Sequence, residues 1–137
     1  MLQLYSDGLT VAAGAAVPLN NIIYAKGSSA THLAPATISL NQRGVYLIKC
    51  DAYGEPAAAG DFGIQVSVNG VPRLDAINVE TGAVGSFSSV STQCLVTVAQ
   101  TDCPCNCTSS ATTVQLINPS DVGTVDAHYN VIVTKLC

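Results

Sequence analysis

Cys103, Cys105 and Cys107 stand at alternate positions in Cys103-Pro104-Cys105-Asn106-Cys107, and Cys137 closes the sequence. Thiols spaced in this way have three chemistries open to them. One is a disulfide between Cys137 and a cluster cysteine, within a chain or between chains, formed once the protein meets an oxidising medium. The second is four free thiols, the state a reducing cytoplasm maintains. The third is a zinc site from all four, although structural zinc favours two to four residues between paired ligands and here one intervenes. Alternate residues of an extended loop point apart, so the three cluster cysteines do not readily serve one bond. Cys50 and Cys94 fall on the presumed core side of strands and read as small buried hydrophobes.

Other reactive residues are scarce. His32, next to Thr31 in an expected loop, and His128, on the strand side shared with Asp126 and Asn130, are the two histidines. Neither has a Cys or Ser in a recognisable catalytic arrangement, so both read as solvated or interface side chains. Asp51, Glu55 and Asp61 flank one loop. Calcium needs six to eight oxygens from a tight run of acids and carbonyls, so solubilising loop charge is the preferred reading and no metal is expected. No Gly-rich phosphate loop, His-Glu-x-x-His pair or nucleophile elbow is present, and neither an enzyme nor a cofactor is expected. Asn106-Cys107-Thr108 matches a glycosylation triplet, which carries weight only in a secreted chain.

The elements that must position these residues are strands. No stretch of a dozen residues places apolar side chains at helical spacing, and Gly (11) and Pro (6) punctuate short alternating runs. The clearest are Thr37 to Leu40 and Val45 to Ala52, hinged at Gly44. Further strands are expected at Gln3 to Tyr5, Leu9 to Ala12, Ile22 to Ala25, Gly63 to Val68, Gly85 to Ala99, Thr112 to Ile117 and Ala127 to Leu136. In the fifth of these nine, Tyr46, Ile48, Cys50 and Ala52 share the uncharged side and are the core candidates, while Val45, Leu47 and Lys49 share the other. Ile64, Val66 and Val68, and likewise Cys94, Val96 and Val98, alternate with more exposed-type residues in the antiparallel manner. Asn69-Gly70 signals a tight hairpin, because both central positions of such a turn need positive φ. The fold class is all-β, an antiparallel sandwich in a single domain, residues 1–137. In an up-and-down order of the last three long strands, the cysteine loop lies at the same end as Cys137.

Composition narrows the function classes. The chain has 137 residues, 48% hydrophobic and only 10% charged, with a net charge of −4. Its mean hydropathy is +0.38. So few charges favour a protein that buries surface against copies of itself. Five scattered Lys and Arg make no basic patch, which argues against nucleic acid. Apolar runs such as Ile22-Ile23-Tyr24 are far shorter than the roughly 18 residues of a membrane span. Met1-Leu2-Gln3-Leu4 lacks the features of a signal peptide, so synthesis in a cytoplasm is expected.

Gly44-Val45-Tyr46-Leu47-Ile48, preceded by an alternating strand, resembles the Gly-x-Tyr-x-apolar strand of the tumour necrosis factor-like and complement-type globular heads. Val66-x-Val68-Asn69-Gly70 resembles their next hairpin, and the last strand with Lys135-Leu136 their closing one. Closest in style are the heads of bacterial collagen-like exosporium glycoproteins and small phage virion proteins, where a strand like Ile22-Ile23-Tyr24 after Val17-Pro18-Leu19-Asn20-Asn21 recurs. The resemblance covers nearly the whole chain. It implies a jelly roll in a tight homotrimer, with apolar residues of one sheet facing the threefold axis; a histidine near that axis would bind an ion or sense pH. Some complement-type heads bind calcium. No stalk of Gly-x-y repeats is expected before the domain, and the cysteine cluster is outside the family pattern.

The functional expectation is a non-enzymatic bacteriophage virion protein: a head decoration, head fibre or other exposed component. It would be made in the host cytoplasm and partnered with itself and with virion proteins such as the major capsid protein. Residues 1–21 are expected to supply attachment or trimer-edge contacts. Tyr129, Val131 and Val133, on the charge-poor side of the closing strand, are the expected trimer interface. The alternative is a receptor- or glycan-binding head of a tail fibre or spore-surface protein.

Overall fold

A computed structural model describes residues 1–99 and 111–137. Cys103, Cys105 and Cys107 lie outside the described residues. Ten strands follow in chain order: β1 (Leu2–Val11), β2 (Asn21–Ala25), β3 (Ala30–Leu33), β4 (Thr37–Leu40), β5 (Gly44–Pro56), β6 (Gly60–Val68), β7 (Val71–Gly82), β8 (Ser88–Val98), β9 (Thr112–Ile117) and β10 (Thr124–Lys135). They form two antiparallel five-stranded sheets. The first has the order β2-β1-β10-β5-β8 and the second β3-β4-β9-β6-β7.

The apolar alternation seen in the sequence faces the gap between the sheets. Tyr46, Ile48, Cys50 and Ala52 of β5 are buried there with Ile64 and Val66 of β6 and Cys94 and Val96 of β8. Burial raises the Cys50 thiol far above its ordinary range, with Cys94 and Asp51 adding to the shift, and burial also raises Cys94. Both are core residues, as expected. Asn69 and Gly70 adopt φ of 50° and 79° and carry the chain from β6 to β7 in the expected tight turn.

Tyr129, Val131 and Val133 belong to this same core, each at most 2% exposed. The expectation that they form a trimer interface is therefore corrected. The side of β10 without charge is uncharged because it packs on the second sheet of its own chain, and the alternate residues His128, Asn130 and Ile132 point outward. Residues 1–21 combine core and outward side chains. Leu2, Leu4, Val11, Val17 and Leu19 are all core side chains, and β1 lies between β2 and β10. The segment is woven into the sandwich, and what β1 offers a partner is its outward set, Tyr5 and Asp7.

The expected strands Gln3 to Tyr5 and Leu9 to Ala12 are one strand, β1, interrupted by a register shift between Ser6 and Leu9. Two strands were not expected. β3 carries His32, which is on a strand paired with β4 rather than in a loop. β7 begins Val71-Pro72, and a proline is tolerated there because β7 is an edge strand.

The order of the last three long strands is not up-and-down within one sheet: β9 is in the second sheet, β8 and β10 in the first. The cysteine loop lies outside the described residues, but the described end of β8 stands beside the last residue. Val98 at the end of β8 pairs with Gly44, and the Cys137 carbonyl accepts a hydrogen bond from the Val45 amide at 3.1 Å. Ala99 and exposed Cys137 line the same concavity with Arg43 and Gly44. Gly44 is required at this junction: its φ is +147°, and a Cβ there would overlap the Cys137 carbonyl oxygen.

Candidate functional site

The outward face of the first sheet is a ladder of cross-strand rows. One row runs Gln3, Ile132, Lys49, Gln93. The next runs Tyr5, Asn130, Asp51, Ser91, and the next places His128 beside Tyr53 and Ser89. At the opposite end Leu47 pairs with Leu95. Much of the apolar surface here faces solvent: Ile23 is 54% exposed, Leu95 53% and Tyr53 48%.

Irregularities in β1 and β10 shape one end of this face. β10 breaks register between Val125 and His128, where Asp126 adopts φ +48°, opposite the break in β1 after Ser6. Bulges of this kind re-aim side chains and increase twist. Here they bring Asp7 of β1 to His128 of β10, whose Nδ1 and the Asp7 Oδ1 form an ion pair when the imidazole is protonated. The Tyr53 ring lies against His128 at 5.8 Å between centroids and stacks on Phe87 at 5.0 Å. Beneath them the Ser6 hydroxyl donates to the Pro18 carbonyl at 2.5 Å and accepts from the Asn20 amide at 2.9 Å, tying β1 to the segment that follows it.

A cavity of about 420 Å³ opens on this end, lined by Tyr5, Asp7, Ile23, Asp51, Tyr53 and His128 among others. Its chemistry is aromatic walls with carboxylates and one imidazole. Among the described residues no three His, Cys, Asp or Glu side chains come together as a metal site; Asp51, Glu55 and Asp61 remain apart, and Asp61 accepts from the Thr81 hydroxyl at 3.0 Å. His32 is on the other sheet, its Nε2 3.5 Å from the Pro35 carbonyl.

The outward face of the second sheet carries a polar centre with apolar margins, where Leu33 is 50%, Ile77 41% and Val79 44% exposed. Thr37, Ser39, Gln65, Ser67, Thr113 and Gln115 alternate there with the core. Three of them donate within the chain: Gln115 to Thr37 at 2.9 Å, Ser39 to Asn41 at 2.6 Å, and Gln65 to the Arg73 carbonyl at 2.9 Å.

Sequence reasoning placed His128 on the strand side shared with Asp126 and Asn130; His128 and Asn130 both point outward, and Asp126 lies in the bulge that precedes them. The same reasoning passed over Asp7, Tyr5, Tyr53 and Phe87. The available signal was that Tyr5 and Tyr53 sit on the non-core positions of strands whose core side was already assigned.

No protein-family model matches the sequence, and no curated protein matches it. Solved structures do match its fold. The globular domain of zebrafish complement 1qA protein superposes with a TM-score of 0.71 at 9% identity, over 99% of this chain and 96% of that one. Murine APRIL gives 0.65 at 11% identity over 98% of each chain. PRD1 vertex protein P5 gives 0.64 at 16% identity over 99% and 96%. The chain has the tumour necrosis factor/complement 1q-like jelly-roll fold. Domains of this fold are typically non-enzymatic binding or structural modules and usually form trimers.

Proposed function

We infer that this chain is a non-enzymatic structural protein that works as a homotrimer on a bacteriophage particle, as a head decoration, head fibre or other exposed component. One observation carries the trimer: the outward face of the first sheet exposes Tyr5, Ile23, Tyr53 and Leu95 to solvent, in a chain with 10% charged residues. A sheet face so rich in exposed aromatic and aliphatic surface is stable in water when a partner covers it. A second copy is the partner that the few charges and the fold both favour. The likeness to a vertex protein supports the particle location. In this reading the trimer acts by geometry, matching a threefold or local threefold position and contacting shell proteins such as the major capsid protein.

The test is light scattering coupled to size-exclusion chromatography, with and without reductant, followed by antibody labelling of purified particles. A mass of three chains and label on the particle surface are expected. A monomer overturns the trimer, and unlabelled particles overturn the location.

The cavity supports a second reading, a receptor- or glycan-binding head. Tyr5 and Tyr53 beside Asp51 and Asn130 offer ring faces and hydrogen-bonding groups of the kind a sugar uses. Both readings claim the same surface, so the mass separates them: a monomer leaves the cavity open, and glycan-array binding lost in Tyr53→Ala then supports the binding head.

A further inference from the structure

We propose that assembly through the first-sheet face is strengthened by acid and weakened as pH rises toward 8, with His128 as the proton-binding group. This rests on the trimer reading, whose regulation it specifies.

Acids crowd the end of the face around His128. Asp7 on β1 contacts its ring directly. From β5, Asp51 lines the same cavity, Tyr53 lies against the imidazole, and Glu55 follows on the outward side. β10 itself adds Asp126, exposed at the bulge. β8 contributes Ser89, which does not titrate, and β2 contributes Ile23 to the cavity with Tyr24 next along the strand. The nearest cation along β5 is Lys49, one row beyond Asp51. Two carboxylates, Asp7 and Asp51, therefore share the cavity with one imidazole, and Glu55 and Asp126 stand further along their strands.

In a free chain, water screens this imbalance, since the side chains of His128 and Asp7 are 47% and 63% exposed. A second copy covering the face removes that water and multiplies the same acids around one assembly. With neutral His128, Asp7 enters the interface as an uncompensated carboxylate in the same cavity as Asp51, which is costly. With protonated His128, the Asp7 pair enters as a closed ion pair, and the Tyr53 ring adds a cation–aromatic contact. Assembly therefore takes up protons. The assembled state binds the proton more tightly than the free chain, so the extra association is fully present on the acid side and is lost as pH rises through the assembled imidazole's titration.

The trimer dissociation constant, read by mass photometry on dilution at about pH 5.5 and about pH 8, tests this. A rise of about tenfold per protomer is expected between the two, the scale of one close charge pair in an interface. His128→Gln should stay trimeric with a constant that no longer changes over this range and matches the unsubstituted protein at the upper pH. Asp7→Asn should tighten the trimer at the upper pH and flatten the dependence. A trimer with the same constant at both pH values, or one whose dependence survives His128→Gln, overturns the proton role and leaves the trimer standing. A monomer at both overturns the trimer reading and this inference together.

Discussion

The centre of the second sheet's outward face and the His128 end of the first sheet's use the same strand architecture for different ends. At the centre of the second sheet Gln115 donates to Thr37, Ser39 to Asn41 and Gln65 to the Arg73 carbonyl, so these polar groups find partners within the chain, while Leu33, Ile77 and Val79 are exposed at the margins. On the first sheet, Tyr53, Leu95, Ile23 and the acid-rich end around His128 remain open. A polar surface saturated by its own side chains gains little from a partner. An apolar surface gains from every square ångström removed from water, about 25 cal/mol for each. On the trimer reading proposed above, the polar centre of the second sheet is completed within the single chain and the His128 end of the first sheet by association.

The largest effect that would break this contrast is loss of assembly. Tyr53→Asp puts another carboxylate beside Asp51 and His128 and removes the ring stacked on Phe87. It should convert the trimer to monomer in light scattering. Thr113→Lys, a charge on the second-sheet face, should leave the mass of three chains unchanged. A trimer that tolerates Tyr53→Asp but falls apart with Thr113→Lys would reverse the assignment of the two faces.

Next in size is a comparison within one strand. Val131 and Ile132 are neighbours on β10, one in the core and the other outward. Val131→Ala should cost about 2 kcal/mol of folding stability through lost packing and a residual cavity. Its cross-strand partner Cys50 supplies a reporter, because the buried thiol is held protonated and reacts only when the chain opens. Maleimide labelling of Cys50 should accelerate about 30-fold in Val131→Ala, the rate equivalent of that energy. Cys137, exposed in the folded chain, should label at the same rate in both proteins. Ile132→Ser should weaken association and leave the Cys50 labelling rate of the dissociated chain nearly unchanged. Equal effects of the two substitutions on Cys50 would mean that the faces of β10 are not distinct.

This strand also marks the limit of what the sequence alone reveals. Period-two patterning separated the residues of β5, β6 and β8 into sides and identified the core side correctly, because the other side carried Lys49, Gln65 or Gln93. The side of β10 holding Tyr129, Val131 and Val133 was equally well identified as charge-poor. A core and an interface have the same low charge, however, and alternation does not say which apolar side meets the chain's own second sheet. The His128 and Asp7 pair was hidden for another reason: the residues are far apart in sequence and meet through β1 and β10 pairing with a bulge in each strand. β7 was missed because Pro72, Arg73 and Asp75 break an apolar pattern, a break that an edge strand tolerates.

The smallest expected effect sharpens the contrast from the finished side. Gln115→Ala removes one partly buried amide donor, leaving the Thr37 hydroxyl at the surface where water can replace the lost partner. A net hydrogen bond of this kind contributes about 1 kcal/mol or less. The melting temperature should therefore fall by a few degrees at most, and the mass should remain that of three chains. The dissociation constant should also keep its pH dependence, since no titratable group of the first-sheet cluster has been touched. A larger loss of stability would mean that the polar face is cooperative, its hydrogen bonds supporting one another beyond their pairwise values. A change in mass would instead mean that a partner contacts this face as well, and that saturation by internal hydrogen bonds does not keep a sheet face free.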